Sequence, residues 1–294
     1  MSRRGWALFV ALSLLWGIPY LLIRVAVQDF NPVVVAFGRT ALGGLLLLPV
    51  ALLRRELGAV LRRWKHVLLY TACEIIGPWW LLSYAETRLD SSTSGLLVAM
   101  VPLVVAVILI ATGRDRFGLR RGVGLLLGFG GVAALVGADL DLSDGWAVGA
   151  ALLTVVGYSF GAYMMGHLVH DIPPYGVVTA SLLISATFYL PFAIWLAPTH
   201  ITAAAGWSVV GLAVLPTAIA FVLMFRLVAD AGASRASVVT YINPAVAIVL
   251  GVLVLSEPMT IGLAVGFPLI IAGALLATSR SKPAGQAVTA DGPP

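Results

Sequence analysis

Residues 64–86 read WKHVLLYTACEIIGPWWLLSYAE, a run long enough to cross a bilayer that carries a carboxylate, Glu74, near its middle. With roughly 20 residues per helical crossing and 1.5 Å of rise per residue, Glu74 lies ~15 Å from the start of the run, close to mid-bilayer. A charge at that depth costs roughly 2.5 to 3.5 kcal/mol on insertion scales, so such groups face a bundle interior or a water-filled path. Pro78, four residues on, has no N–H to give the Glu74 carbonyl, which is left open to a water, a ligand or a neighbouring helix. Glu74 reads as a proton-coupling carboxylate or a counter-charge for an amine. The alternative is a structural carboxyl, protonated or bonded to another helix.

The rest of the chain supplies a container for that group. Of 294 residues, 60% are hydrophobic and only 11% charged, with a mean hydropathy of +1.02, which excludes an ordinary soluble domain. The composition is that of an all-α integral membrane protein, and its 31 glycines suit close helix packing in lipid. The single cysteine, Cys73, permits no internal disulfide, and no cysteine cluster or HExxH motif is present, so neither a metal nor a cofactor is expected. Arg3 and Arg4 ahead of an apolar run resemble an export signal. The run continues to about residue 27 without a small-residue cleavage site, however, and many similar runs follow.

Ten spans are expected, near residues 6–27, 32–53, 64–85, 92–112, 118–137, 146–168, 175–196, 207–228, 233–255 and 260–278. The basic residues support that count. Fifteen of the 18 Lys and Arg fall on one face, with Arg24, Arg39 and Arg88 as the exceptions, while Asp29, Asp90, Asp139, Asp141, Asp144 and Glu257 collect on the other. An eight- or nine-span arrangement would scatter this segregation, and the positive-inside rule makes both termini cytoplasmic. The same distribution explains the net charge of +5 without a nucleic-acid partner, because the basic residues form no patch on a folded domain. The tail at 279–294, rich in Pro, Gly and Ala, is expected to be disordered.

The chain also repeats. A shift of 142 residues superimposes Ser92 on Ser234, Pro102 on Pro244, Gly124 on Gly266, Gly131 on Gly273 and Asp115 on Glu257; a shift of 140 brings Trp6 and Gly17 onto Trp146 and Gly157. Five spans is an odd number, so the second copy enters the membrane inverted. Two inverted five-helix repeats, 6–137 and 146–278, are a transporter architecture with the substrate site near the midplane between halves.

LLWGIPYLLIRVAV followed by NPVVVAFGRTALGGLLLLP, and AGASRASVVTYINPAVAIVLGVLVLSEPMTIGLAVGFPLIIAGALLA in the second half, resemble the EamA-type transporters of the drug/metabolite transporter superfamily. The likeness covers nearly the whole chain and rests on the order of motifs, with the family's second-span arginine at Arg39. EIIGPWWLLSYAETRLDSSTSGLLVAMVP resembles a bacterial subgroup with an acid at the position of Glu74. The first repeat departs from the family in having GRDRF, with Asp115, where a Gly-Glu-Arg turn is common. The resemblance implies a multi-pass transporter of the bacterial cytoplasmic (inner) membrane, with a small-molecule substrate, a lipid environment and no enzymatic activity. It leaves a homodimer and proton coupling open.

Candidate cavity residues follow from depth and side-chain type. Arg39 sits deep enough in the second span to pair with Glu74, either as part of the transport chemistry or as a fixed packing element. Trp16 and Tyr20 recur at helical spacing in the first span, where Gly17 and Pro19 suggest a broken helix lining a cavity. After Glu74, Trp80 is the preferred binding wall by stacking or cation–π contact, with Tyr84 and Glu86 assigned to the outer interface. The second half offers Tyr158 and Tyr163 in the sixth span, and Tyr241 and Asn243 beside Pro244 in the ninth. Asn243 reads either as an element of an asymmetric site or as an interhelical hydrogen bond. Helix breaks are expected at Gly17, Pro19, Pro78, Pro102 and Pro244. The leading expectation is a secondary transporter exporting a small metabolite, an amino acid or related polar or amphipathic compound, by alternating access. A nucleotide-sugar or phosphate-ester exchanger needs more cationic provision than Arg39 gives. A membrane-embedded lipid-modifying enzyme needs a metal or acid/base constellation that the sequence lacks.

Overall fold

The computed structural model describes residues 2–114, 118–139, 144–232 and 236–278, and these contain helices and turns but no strand. Asp115, Arg116, Asp141, Ser234, Arg235 and the tail 279–294 lie outside the described residues. In the first half, α1 is Arg3–Ala26, α2 Pro32–Leu53 and α3 the short Leu57–Arg62. The run around Glu74 follows as α4 (Trp64–Thr71), a π turn (Ala72–Ile76) and α5 (Gly77–Ala85). The next run is split into α6 (Ser91–Val98) and α7 (Val101–Ala111), and α8 is Leu119–Asp139. In the second half, α9 is Gly145–His167 and α10 Pro174–Trp195. Then α11 (Ala203–Ala213) continues through a second π turn (Val214–Ile219) into α12 (Ala220–Ala231). A 3-10 turn (Ser237–Tyr241) leads into α13 (Asn243–Val254), and α14 is Ile261–Thr278.

Among the described residues, nine helical segments are long and apolar enough to cross a membrane: Arg3–Ala26, Pro32–Leu53, Ser91–Ala111, Leu119–Gly137, Gly145–His167, Pro174–Trp195, Ala203–Ala231, Ser237–Val254 and Ile261–Thr278. The tenth expected span, at 64–85, is helical throughout but less apolar than these nine, because it holds Glu74, Pro78 and several aromatic residues. The bundle's outer surface is greasy, with Leu53, Leu126, Leu253 and Ile261 exposed. Exposed Trp6, Trp64, Trp146, Trp195 and Trp207 sit close to helix ends, where indoles settle at a membrane interface.

The helical irregularities recur at the repeat distance. The two π turns begin at Ala72 and Val214, and the restarted helices α7 and α13 begin at Val101 and Asn243, both pairs 142 residues apart. Prolines explain the placement. Pro102 and Pro244 fall in the first turn of a restarted helix, where a missing N–H has no partner to lose. Pro78 and Pro216 each deprive a carbonyl four residues earlier of its donor. The break expected at Gly17 and Pro19 is not there: α1 runs unbroken through both. Gly17 serves contact instead, since a Cβ there would lie 2.4 Å from Val246 on α13.

The halves exchange their first helices. α1 packs on α11, α12 and α13, while α9 packs on α5, α6 and α7. The remaining long contacts join α2 to α10 and α8 to α14. Along α8 and α14, Gly124, Gly128, Gly131, Gly266 and Gly273 bring the backbones together, so that a Cβ on Gly273 would fall 2.4 Å from the Gly128 nitrogen.

Polar ties close both ends of the bundle. At one end the Glu257 carboxylate accepts the amides of Ser91 (2.8 Å) and Ser92 (3.0 Å) and the Ser92 hydroxyl, capping α6 from the other half. Arg24 stands 3.8 Å from Asp90, and Asp29 accepts the amide (2.7 Å) and hydroxyl (2.6 Å) of Thr202 at the start of α11. At the other end, Arg63 pairs with Asp171 at 2.8 Å, Glu56 accepts the Gly176 amide of α10 at 2.8 Å, and Ser2 donates to Asp230 at 2.9 Å.

Candidate functional site

Arg39 projects from α2 into the bundle, where it is buried. Its position is set by the second π turn. Pro216 cannot donate to the carbonyl of Leu212, and the neighbouring Thr217 hydroxyl does so instead, at 2.8 Å. The same hydroxyl accepts Arg39 Nε at 3.0 Å. The guanidinium then lies over Trp79, with Cζ 3.6 Å from the ring centroid, a desolvated cation–π contact. Tyr20 of α1, Tyr158 of α9 and Glu86 at the end of α5 complete the group, all within electrostatic range of Arg39 and of one another. Tyr189 of α10 joins the Trp79 cluster and donates its hydroxyl to the carbonyl of Ile76, the last residue of the first π turn.

Glu74 lies on that first π turn, an element frequent at functional sites because it opens the helix backbone. Its seat is cut by glycine. A Cβ on Gly161 of α9 would sit 1.9 Å from Glu74 Oε2 and 2.9 Å from its Cβ and Cδ. Gly157, one turn earlier, admits Pro78 and the Cys73 carbonyl in the same way. Oε2 is buried without a hydrogen-bond partner among the described residues. Glu74 is in electrostatic range of Tyr70, Cys73 and Tyr158, so Tyr158 connects it to the Arg39 group.

The Arg39–Glu74 pair that their depths allow is absent among the described residues. Among the described residues the ion pairs are Arg24–Asp90 and Arg63–Asp171, and Arg39 is held by Thr217 and Trp79. Trp80 is 43% exposed and shares the outer face of α5 with Tyr84, while Trp79 turns inward. Trp16 packs edge-on against Phe221 at 6.2 Å in an apolar cluster between α1 and α12, away from Tyr20's group. Tyr163 stacks on His167 at 4.4 Å with Arg114 above it, near the end of α9. Tyr241 bonds to Thr278 on α14. With its amide nitrogen turned to the acceptors, Asn243 bridges the carbonyls of Val239 (2.9 Å) and Ser13 (3.2 Å), which makes it an interhelical tie between α13 and α1.

Sequence reasoning missed three members of the group: Trp79, Thr217 and Glu86. Glu86, assigned to the outer interface, is 0% exposed, and neither of its carboxylate oxygens has a hydrogen-bond partner among the described residues. Outside the spans, burial pushes the Asp90 carboxyl above its ordinary value, with the Glu257 charge adding to the effect and Arg24 opposing it. Hydrogen bonds from Thr202 hold the Asp29 carboxyl below its ordinary value.

A lipid-facing helical bundle with a cation, carboxylates and aromatic rings gathered in its interior is the build of a multi-pass membrane transporter. The chain matches the EamA-like transporter family over residues 3–137 and again over 145–279, and it belongs to that family. It is 27% identical to the uncharacterized transporter YvbV of Bacillus subtilis, over 94% of this chain and 92% of that protein. It is also 27% identical to the uncharacterized inner membrane transporter YedA of Escherichia coli K12, over 83% of this chain and 80% of that one. A solved crystal structure shares the fold, with a TM-score of 0.69 at 20% identity, across 95% of this chain and 98% of its own.

Proposed function

We propose that this transporter is a secondary exporter of the bacterial cytoplasmic membrane, with ten crossings, inverted halves and both termini in the cytoplasm. It moves a small polar or amphipathic metabolite, an amino acid or related compound, by alternating access, with proton exchange at Glu74. The observation that carries this reading is the Glu74 carboxylate itself, placed near mid-span on a π turn, with a buried oxygen that no donor satisfies and no ion pair among the described residues. A carboxylate fixed for structure would have its partners in place. One that must exchange a proton in each cycle needs them absent. A phosphate-ester cargo fits less well, because among the described residues Arg39 is the one cation in this interior group.

The test compares metabolites in medium and cytoplasm of cells overproducing the protein with cells overproducing Glu74→Gln at matched membrane levels. Accumulation of one compound class outside, only with the intact carboxylate, is the expected result. Unchanged export by the variant would make Glu74 structural and remove the coupling mechanism. No change with either protein would remove the export direction.

A further inference from the structure

Residues 54–65, RRELGAVLRRWK, join α2 to α4 at one end of the bundle and hold five of the chain's 18 Lys and Arg against one acid. Two of the five are used within the fold. Arg63 pairs with Asp171 at 2.8 Å, and Arg54 lies over the Tyr175 ring with Cζ 4.6 Å from its centroid. Glu56 is engaged as well, by the Gly176 amide. Arg55, Arg62 and Lys65 are exposed and have no ion pair or side-chain hydrogen bond among the described residues; Lys65 only leans over Trp64, at 5.7 Å. The equivalent stretch 142 residues on, at 196–207, has no Lys or Arg, so the repeated fold does not itself require these charges.

Arg55 is the clearest case. The amides of Arg55 and Glu56 bond the carbonyls of Leu52 (2.9 Å) and Ala51 (3.1 Å), the pattern that closes a helix on a left-handed residue. Arg55 fills that position at φ +55°, where glycine carries no steric penalty. A long cationic side chain is thus held at a backbone cost, with no partner for its charge among the described residues. Beside it, Val60 turns α3 inward onto Val67, Tyr70 and Val177, while Leu61, Trp64 and Leu68 stay exposed next to the three cations. Cations set among exposed apolar side chains and an indole at a helix start suit the boundary between lipid headgroups and acyl chains. We propose that residues 55–65 bind anionic phospholipids, with Arg55, Arg62 and Lys65 on the phosphates and Leu61 and Trp64 in the acyl boundary. The site needs only the membrane placement of the bundle and stands apart from cargo, direction and coupling.

The experiment titrates the full chain in detergent with phosphatidylglycerol, and separately with phosphatidylcholine of the same acyl chains, and reads bound lipid by native mass spectrometry. Wild type is expected to favour phosphatidylglycerol. Each cation near a lipid surface is worth about a factor of five in affinity. Arg55→Gln/Arg62→Gln/Lys65→Gln is therefore expected to lose on the order of 100-fold for phosphatidylglycerol and little for phosphatidylcholine. The control, Arg3→Gln/Arg4→Gln/Arg226→Gln, removes as many exposed cations at the same end, on α1 and α12, and keeps the preference. Arg55→Gly suits the left-handed backbone, so it cannot lose affinity through misfolding there, and is expected to lose about fivefold. Equal affinity of wild type for both lipids, or an unchanged preference in the triple glutamine variant, overturns the site. So does an equal loss in the control, which would mean diffuse surface charge. Displacement of the lipid by inorganic phosphate at constant ionic strength would mean a simple anion site, and overturns it too.

Discussion

Gly161→Ala is expected to destabilise the protein through Glu74, and the size of the effect can be worked from the seat described above. The new methyl carbon would lie 1.9 Å from Oε2 and 2.9 Å from Cδ, where van der Waals contact needs well over 3 Å. Either the carboxylate leaves its seat or α9 moves off the π turn. Overpacking of this kind costs about 1–3 kcal/mol, and at about 2–4 °C per kcal/mol it lowers the melting temperature by roughly 2–12 °C. The control is the same substitution in a Glu74→Ala background, where the carboxyl atoms are gone and only the side-chain Cβ remains at 2.9 Å. There the added penalty is expected to fall below about 1 kcal/mol, leaving a coupling of about 0.5–3 kcal/mol between the two positions. Thermal unfolding of the four purified proteins in one detergent measures the cycle. An equal drop in both backgrounds would show that Gly161 packs against something other than the carboxylate.

Three further outcomes are expected. Trp79→Leu removes the ring under Arg39, a contact of about 0.5–2 kcal/mol, and should lower both melting temperature and transport, whereas Trp80→Leu should change stability by no more than about 0.5 kcal/mol; comparable damage at both positions would contradict the inward placement of Trp79. Glu257→Ala strips the acceptor from the first amides of α6 and should cost about 1–3 kcal/mol, with faster hydrogen exchange at residues 91–94 than in wild type as the local readout. Asp29, held below its ordinary value by Thr202, binds a proton less readily folded than unfolded. Its contribution is therefore complete above the unfolded carboxylate pKa of about 3.9 and fades as pH falls through the lower folded value. The melting difference between wild type and Asp29→Asn should persist at neutral pH and close in acid.

Most of the fold was legible because apolar run length, basic residues at run ends and a repeat of prolines and glycines each constrain it separately. The helix restarts at Pro102 and Pro244 were readable from proline chemistry, whereas Pro19 was misread because packing against α13 and its neighbours holds α1 straight across a missing hydrogen bond. The interior was harder. Trp79 and Trp80 point about 100° apart on a helix, and after a π turn the 3.6-residue period no longer fixes which of them faces inward. Glu86 looked interfacial because it ends an apolar run, and only the chain turning back over it, with Leu89 buried and Asp90 set against Arg24, shows that it is enclosed. Thr217 carried no charge or motif to mark it. Its importance comes from the neighbouring Pro216, whose missing N–H gives the hydroxyl its acceptor at Leu212.

The seam between α8 and α14 has a mechanical consequence. Where glycine faces glycine and backbone touches backbone, there are no side chains to swing, shorten or repack, so the two helices can pivot on one another but cannot slide. Each half contributes one of them. Any rocking of the halves that opens one end of the bundle and closes the other therefore has a fulcrum here, and the polar ties at the two ends act on opposite arms of the lever. A bulky residue at Gly124 or Gly273 would not plug a path for cargo; it would displace the axle, and every gap between the halves would change with it.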